Sequence, residues 1–437
     1  MCYTLIWVAP QKFIIAFVPL REVEGRKLFL LSQNKNKEDN MKTQSFNEIE
    51  NLTKEYSMIP ICKEIYADVI TPIQLLRKME AFDKNFFLLE SVEGGEKWAR
   101  YSFLGYEPVL HITCKNGKVT QKSGEIEHTV TVDPMDALRQ LLHKYKSPKI
   151  EGMPTFTGGF VGYFGYEMIG YAEPKLNIKD SEFDDYNLML FDKVIVYDHL
   201  KQKIMAIANM KSKDGIQGYN TALLEIEKMI ALINDQRKLP VLEADKDVKF
   251  KCNVTKEEYC RMIEKTKHYI KEGDIFQGVI SRRFVADYNS SLINAYRVLR
   301  TTNPSPYMYF IQSDDLQIAG ASPETMVKLV DGKLTTFPVA GTRPRGVNDE
   351  QDKTLEKELL SDEKELAEHN MLVDLARNDM GRIAKYGSVY LEDYMKTHRF
   401  SKVMHIASTV CGQIRDDKDG CDTVAALLPA GTLSGAP

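Results

Sequence analysis

Four β-prone runs follow one another between residues 307 and 339 with very little chain between them: Tyr307 to Gln312, Gln317 to Ala321, Met326 to Val330 and Lys333 to Val339. The last pair is joined by Asp331-Gly332 alone, a dipeptide that tolerates the positive φ of a tight hairpin turn. A parallel crossover needs a dozen or more residues, so runs this close together can pair only antiparallel. Asn116-Gly117, after the run Pro108 to Cys114, repeats the signal earlier in the chain. Strand patterns also cover Phe86 to Leu89, Leu188 to Tyr197 and Phe276 to Phe284. Helical patterns fall between these runs, so the expected class is α+β with mostly antiparallel sheet.

The helices carry their own punctuation. Asp133 before Pro134 predicts a helix to Tyr145. Tyr219 to Ile233 is amphipathic. Thr255 with Glu258 is a capping-box pattern opening a helix to Lys271, which Gly273 stops. Thr157 to Tyr166 is glycine-rich without a phosphate-loop ending or a dinucleotide fingerprint, and it reads as a strand approached closely by another backbone. Residues 234–250 are polar and aperiodic, the best linker in the chain.

A net charge of −4 with scattered Lys and Arg argues against a nucleic-acid footprint or a polybasic membrane anchor. No apolar run approaches the ~18 residues a membrane helix needs. Seven cysteines without a C-x-x-C pair read as free thiols in a reducing, cytoplasmic setting.

The chemical signal lies in Ser361 to Arg377. At helical spacing, Glu365, Glu368 and His369 share a face with Leu372, Leu375 and Ala376. Carboxylates on an apolar face are costly unless a cation meets them, so a divalent metal or a cationic partner is implied. The plainer alternative is a capped helix start, with Glu365 reaching back to its own helix end and Glu368 on a solvated rim.

Seven strings then fall in one order. Leu88-Leu89-Glu90-Ser91 with Gly94 to Ser102 comes first, followed by Gly273 to Gln277, Asn303 to Met308 and Ala321 to Glu324. Pro338 to Gly346, Ala367 to Asp379 with Val403-Met404-His405, and Pro429 to Pro437 complete the series. From about residue 59 onward the chain resembles the large components of anthranilate synthases, within the chorismate-utilising enzymes. The resemblance implies a two-lobed fold of stacked antiparallel sheets flanked by helices. It also implies a reaction in which ammonia, supplied by a glutamine amidotransferase subunit, adds to chorismate, and the aminated intermediate then loses pyruvate to leave anthranilate.

The same resemblance assigns roles. Glu368 is the magnesium (Mg2+) ligand, with Glu365 one turn back as a second or water-mediated ligand. His405 is the candidate general acid for the departing hydroxyl, and Glu324 a second proton-handling group; a core histidine and a loop-end carboxylate are the plainer readings. Gly341 and Thr342 cradle a substrate carboxylate. Thr432 is a further contact or a helix-start cap. Water-using relatives carry a lysine base where this chain has Gln277, and aminodeoxychorismate synthases carry a nucleophilic lysine where it has Ala340, so both positions favour direct attack by ammonia. Leu89, Glu90, Ser91, Asn303, Pro306, Tyr307 and Met308 match a tryptophan feedback site.

Four regions are expected: residues 1–58 as an N-terminal extension with Met41 as the proper start, 59–233 as a regulatory-type region, 234–250 as a linker, and 251–437 as the chorismate-binding region. Relatives of this type continue beyond the position of Pro437, so a fragment with very weak turnover of its own is expected. Aminodeoxychorismate synthase, and a non-catalytic fragment that binds tryptophan or docks a partner, are the competing readings.

Overall fold

A computed structural model describes residues 12–13, 43–91, 100–178, 180–241, 248–400 and 402–428. Three antiparallel sheets organise them. The seven-stranded sheet runs Leu316–Ser322, Tyr307–Ser313, Asn85–Glu90, Tyr101–Tyr106, Lys193–Asp198, Lys203–Lys211 and Met58–Tyr66. The six-stranded sheet runs Lys12–Phe13, Gly159–Gly165, Tyr186–Phe191, Leu110–Lys115, Lys118–Ser123 and Ile126–Thr131. In the five-stranded sheet, Val403–Gln413 is the spine: Lys333–Thr336 and Val339–Pro344 pair along one edge, Tyr390–Arg399 along the other, and Lys328–Val330 continues outward.

The first two sheets stack face to face. Phe87, Leu89, Phe103 and Ile311 from one meet Val161, Tyr163, Met189 and Phe191 from the other. The outer face of the seven-stranded sheet is covered by helices Pro72–Glu80, Gly215–Asn234 and Ile293–Thr302, which bury Leu75, Leu76, Ile226, Met229 and Tyr296 against Leu88, Leu104 and Phe310. Helix Glu363–Gly381 packs Val373 and Met380 on the five-stranded sheet against Leu334 and Val410. The short helix Gly420–Leu427 joins this unit to the six-stranded sheet: Ala426 and Leu427 face the former, Cys421 and Val424 the latter. The architecture is the α+β stack of antiparallel sheets that the hairpin spacing implies.

Several local expectations hold for local reasons. Asn116 and Gly117 turn with φ of 50° and 74°, and Asp331 and Gly332 with 51° and 79°. Asp133 accepts from Met135 N–H and Asp136 N–H at the start of Pro134–Lys144. Thr255 and Glu258 form their reciprocal box at the start of Lys256–Glu272, which ends on a left-handed Gly273. A Cβ on Gly162 would lie 2.0 Å from the Asn187 carbonyl oxygen of the neighbouring strand, so this strand has no room for any other residue there.

Three expectations are corrected. Leu188 to Tyr197 is not one strand but two, Tyr186–Phe191 and Lys193–Asp198, in different sheets. The chain switches at Asp192, whose carbonyl accepts the Asn209 backbone N–H and side-chain amide at 2.7 and 2.9 Å, one step beyond the Lys193–Ala208 pair. Both halves are buried on both faces, so hydrophobicity alone carries no mark of the switch. Phe276 to Phe284 is irregular until Phe284–Val285, which pairs only with Lys251–Cys252; the preceding residues find no ladder partner among the described residues. Met326 and Val327 precede their strand, which begins at Lys328.

Residues 234–250 lie between regions that share a sheet, because Tyr307–Ser313 pairs with Asn85–Glu90. In the expected N-terminal extension, Met41 lies outside the described residues, whereas Phe46 packs its ring on Tyr219 and the Tyr219 hydroxyl donates to the Gln44 carbonyl at 2.7 Å. No described helix is long and apolar enough to cross a membrane.

Candidate active site

The site is built where strand Val339–Pro344 is bent. Its pairing with Val403–Gln413 slips by one residue between Ala340 and Thr342, leaving Gly341 unpaired at φ 66°. This is the β-bulge that only glycine enters without strain. A Cβ on Gly341 would lie 3.0 Å from Leu359 Cδ1, 3.2 Å from Glu365 Oε2 and 3.4 Å from Ile406 Cδ1. The bulge thus presses bare backbone against a glutamate of the neighbouring helix.

Thr342 then stands opposite His405. His405 Nδ1 is 2.9 Å from the Gly341 carbonyl and 3.0 Å from the Thr342 hydroxyl. A carbonyl only accepts, so Nδ1 carries the hydrogen and Nε2 is left as the proton-accepting nitrogen. Burial pushes the imidazole below its ordinary value, against the Gly341 hydrogen bond, which raises it. His405 is therefore neutral near pH 7 in the free protein.

Helix Glu363–Gly381 starts on Asp362, which accepts from Lys364 N–H and Glu365 N–H at 3.1 and 3.3 Å. The Glu365 carboxylate does not fold back onto its own helix end; it lies 3.6 Å from Arg343 Nη1. Arg343 also donates to Glu358 and Asp362 at 2.9 Å each and to the Thr342 carbonyl at 3.0 Å. It draws the end of helix Asp349–Ser361, through Glu358, and the start of helix Glu363–Gly381, through Asp362, toward the bulge, a role that sequence reading missed although Arg343 follows directly on Gly341-Thr342. His369 is fully buried and bonded to Ser408 at 2.7 Å, and burial pushes it down to about 4.

Glu368 is half-buried and accepts a long hydrogen bond, 3.4 Å, from Gln277 Nε2. Gln277 Oε1 is buried without a partner among the described residues. Glu365 and Glu368 lie one helical turn apart, and their carboxylates and the orphaned Gln277 amide oxygen are oxygen donors of the kind a hard cation selects. Among the described residues no group of three or more His, Cys, Asp or Glu is placed to hold a metal ion by itself. The set suits magnesium, which keeps waters and takes substrate oxygens beside one or two carboxylates.

Glu324 lies two residues past the end of strand Leu316–Ser322, where the chain leaves the seven-stranded sheet for the five-stranded one. Ser322 Oγ accepts the Glu324 N–H at 3.3 Å and donates to its carbonyl at 3.0 Å. Burial pushes the carboxyl up to about 7. It makes no side-chain hydrogen bond with His405, Thr342 or Glu368. Thr432 lies outside the described residues.

Of the residues matched to a tryptophan site, Glu90 pairs with Met308 and Leu89 with Tyr309, Pro306 directly precedes strand Tyr307–Ser313, and Asn303 follows helix Ile293–Thr302. Glu90 itself is turned inward. It is buried, accepting from Arg300 Nε and Nη2 at 2.5 and 2.9 Å and from the Tyr296 hydroxyl at 2.7 Å. A cavity of about 660 Å³ opens beyond this pair, lined by Thr71, Tyr197, His199, Arg297 and Arg300, away from the bulged strand.

Residues 84–437 match the family described as chorismate binding enzyme. The anthranilate synthase component 1 of Acetivibrio thermocellus is 43% identical over 404 residues, covering 90% of this chain and 82% of that protein. That of Aquifex aeolicus is 41% identical over 410 residues, covering 90% and 81%. The crystal structure of anthranilate synthase component I from Streptococcus pneumoniae superposes with a TM-score of 0.68 at 34% identity, covering 84% of this chain and 80% of that one. The menaquinone-specific isochorismate synthase MenF of Escherichia coli shares the fold at 16% identity, with a TM-score of 0.57. The chain belongs to the chorismate binding enzymes and, within them, to the anthranilate synthase component 1 family.

Proposed function

We propose that this chain catalyses the amination of chorismate by ammonia with loss of the ring hydroxyl as water, and the elimination of pyruvate from the aminated intermediate to give anthranilate, a lyase reaction. The observation that carries this reading is the bulge at Gly341, which sets Glu365, Thr342 and the proton-accepting His405 around one stretch of half-buried backbone.

Glu368 and Glu365 would hold magnesium, with the Gln277 amide donating to Glu368 beside them. When bound, the metal supplies positive charge to a substrate carboxylate and to the departing hydroxyl. The Thr342 hydroxyl and the backbone of Gly341 orient the substrate. His405 must gain a proton to act as the general acid for the hydroxyl; a dianionic substrate beside it favours the charged imidazolium. Glu324, half-ionised near neutrality, suits the proton transfer of the elimination. Gln277 offers no base for activating water, and Ala340 no amine for a covalent adduct, so neither hydroxylation nor the aminodeoxychorismate route fits as well.

The "component 1" in the names of the relatives supports a second component, read here as a glutamine amidotransferase delivering ammonia. Tryptophan is proposed to inhibit from the Ser91 and Pro306-Tyr307-Met308 region. The reaction is tested by supplying chorismate, magnesium and an ammonium salt and identifying the product by fluorescence and mass. Anthranilate is expected. Production of 4-amino-4-deoxychorismate or isochorismate instead would overturn the assignment.

A further inference from the structure

His369 follows Glu368 on the helix and is excluded from solvent. Its Nε2 lies 2.7 Å from Ser408 Oγ, while its Nδ1 is buried with no partner among the described residues. Whichever way the proton runs in the first bond, one ring nitrogen is left unpaired. A leucine would fill the same space with no such orphan, so packing alone gives the fold no reason to keep an imidazole here.

Ser408 supplies the reason. Its Oγ accepts the Met395 N–H at 2.9 Å, from strand Tyr390–Arg399, where Met395 sits at φ 51°. Its own N–H donates to the Pro338 carbonyl at 3.1 Å, immediately before the bulged strand. It lies three residues from His405 on the spine of the sheet. One serine therefore ties together the bulged strand, the strand bearing His405 and, through His369, the helix bearing Glu365 and Glu368. Arg343 holds the start of the helix through Asp362 and Glu365, and Tyr394 donates to Asn370 on its outer side; on the buried face, the contacts of Val373 and Met380 are apolar and non-directional, so His369–Ser408 is the directional tie to the spine of the sheet. A hydrogen bond fixes both distance and angle.

We infer that His369 is a positioning residue: through Ser408 it sets the rotation and height of the Glu363–Gly381 helix, and so aims the two glutamates at the bulge. This rests on the reading of those glutamates as magnesium ligands.

The test is calorimetric titration of the full chain with magnesium chloride alone, alongside the kinetics with chorismate and ammonium. The proteins compared are the unmodified chain, H369L, S408A, H369L/S408A and H369Q. H369L and S408A should each weaken magnesium binding about tenfold, as disturbed outer partners of metal ligands do. The double variant should be no worse than either single one, and H369Q, which keeps a polar atom near the Nε2 position, should recover most of the loss. Urea midpoints of H369L should stay close to those of the unmodified chain. Magnesium affinity unchanged in H369L, or impaired as much in H369Q as in H369L, overturns the inference while leaving the ligand reading intact. If H369L does not fold, S408A and H369Q decide in the same way. Absence of magnesium binding by the unmodified chain removes the ligand reading itself.

Discussion

Glu324 should make the protein less stable as pH rises, and replacing it with glutamine should abolish that penalty. Burial moves its carboxyl from an ordinary 4.5 to about 7. Below pH 4.5 the group is protonated whether the chain is folded or not, and it contributes nothing. Between 4.5 and 7 the unfolded chain ionises first, so folding takes up a proton and stability falls with rising pH. Above 7 the penalty is constant. The difference corresponds to about 3 kcal/mol, an order-of-magnitude figure. Glu324→Gln keeps the shape and cannot ionise. Urea unfolding at a series of pH values should therefore give the variant no advantage at pH 4, a growing one through pH 5 to 7, and about 3 kcal/mol by pH 8. The same variant should lose about 10²-fold or more in turnover, the usual share of a proton-transfer group. A stability difference that does not change with pH would refute the buried-carboxyl reasoning, whatever happened to activity.

Gly341→Ala forces a Cβ into a left-handed position against Leu359 and Glu365, and thermal unfolding should show a loss of about 1–3 kcal/mol together with weakened magnesium and chorismate binding. Arg300→Leu leaves the Glu90 carboxylate buried with only the Tyr296 and Ser102 hydroxyls, and chemical denaturation should register a cost of about 3–5 kcal/mol. Tryptophan should bind the full chain in calorimetric titration, more weakly after Ser91→Arg; silence in the titration would remove the feedback proposal.

The features legible in the sequence are those decided within a few residues. The Thr255–Glu258 box, the Asp133 cap and the two hairpin turns need only local chemistry, and each forms where the residues indicate. The pairing of strands Asn85–Glu90 and Tyr307–Ser313 was reachable only through the resemblance, because more than two hundred residues separate them. The break at Asp192 was invisible because it depends on where Asn209 returns in space. Phe276 to Phe284 has strand composition, but a strand also needs a neighbouring ladder. At the site, the closeness of the glutamate-bearing helix to Gly341-Thr342 was implied by the resemblance, and the bulge at Gly341 by a glycine inside a strand pattern. The Arg343 hub and the His369–Ser408 tie were not, since their meaning lies in which elements they join.

The central claim is that the acidic helix beside the Gly341 bulge turns chorismate into anthranilate. The most direct measurement follows anthranilate and pyruvate together after purified protein receives chorismate, magnesium and ammonium, with Glu368→Gln in parallel. The two products are expected in equal amounts at whatever rate the chain sustains, and none above background from the variant. Pyruvate without anthranilate, or equal product from Glu368→Gln, would contradict it.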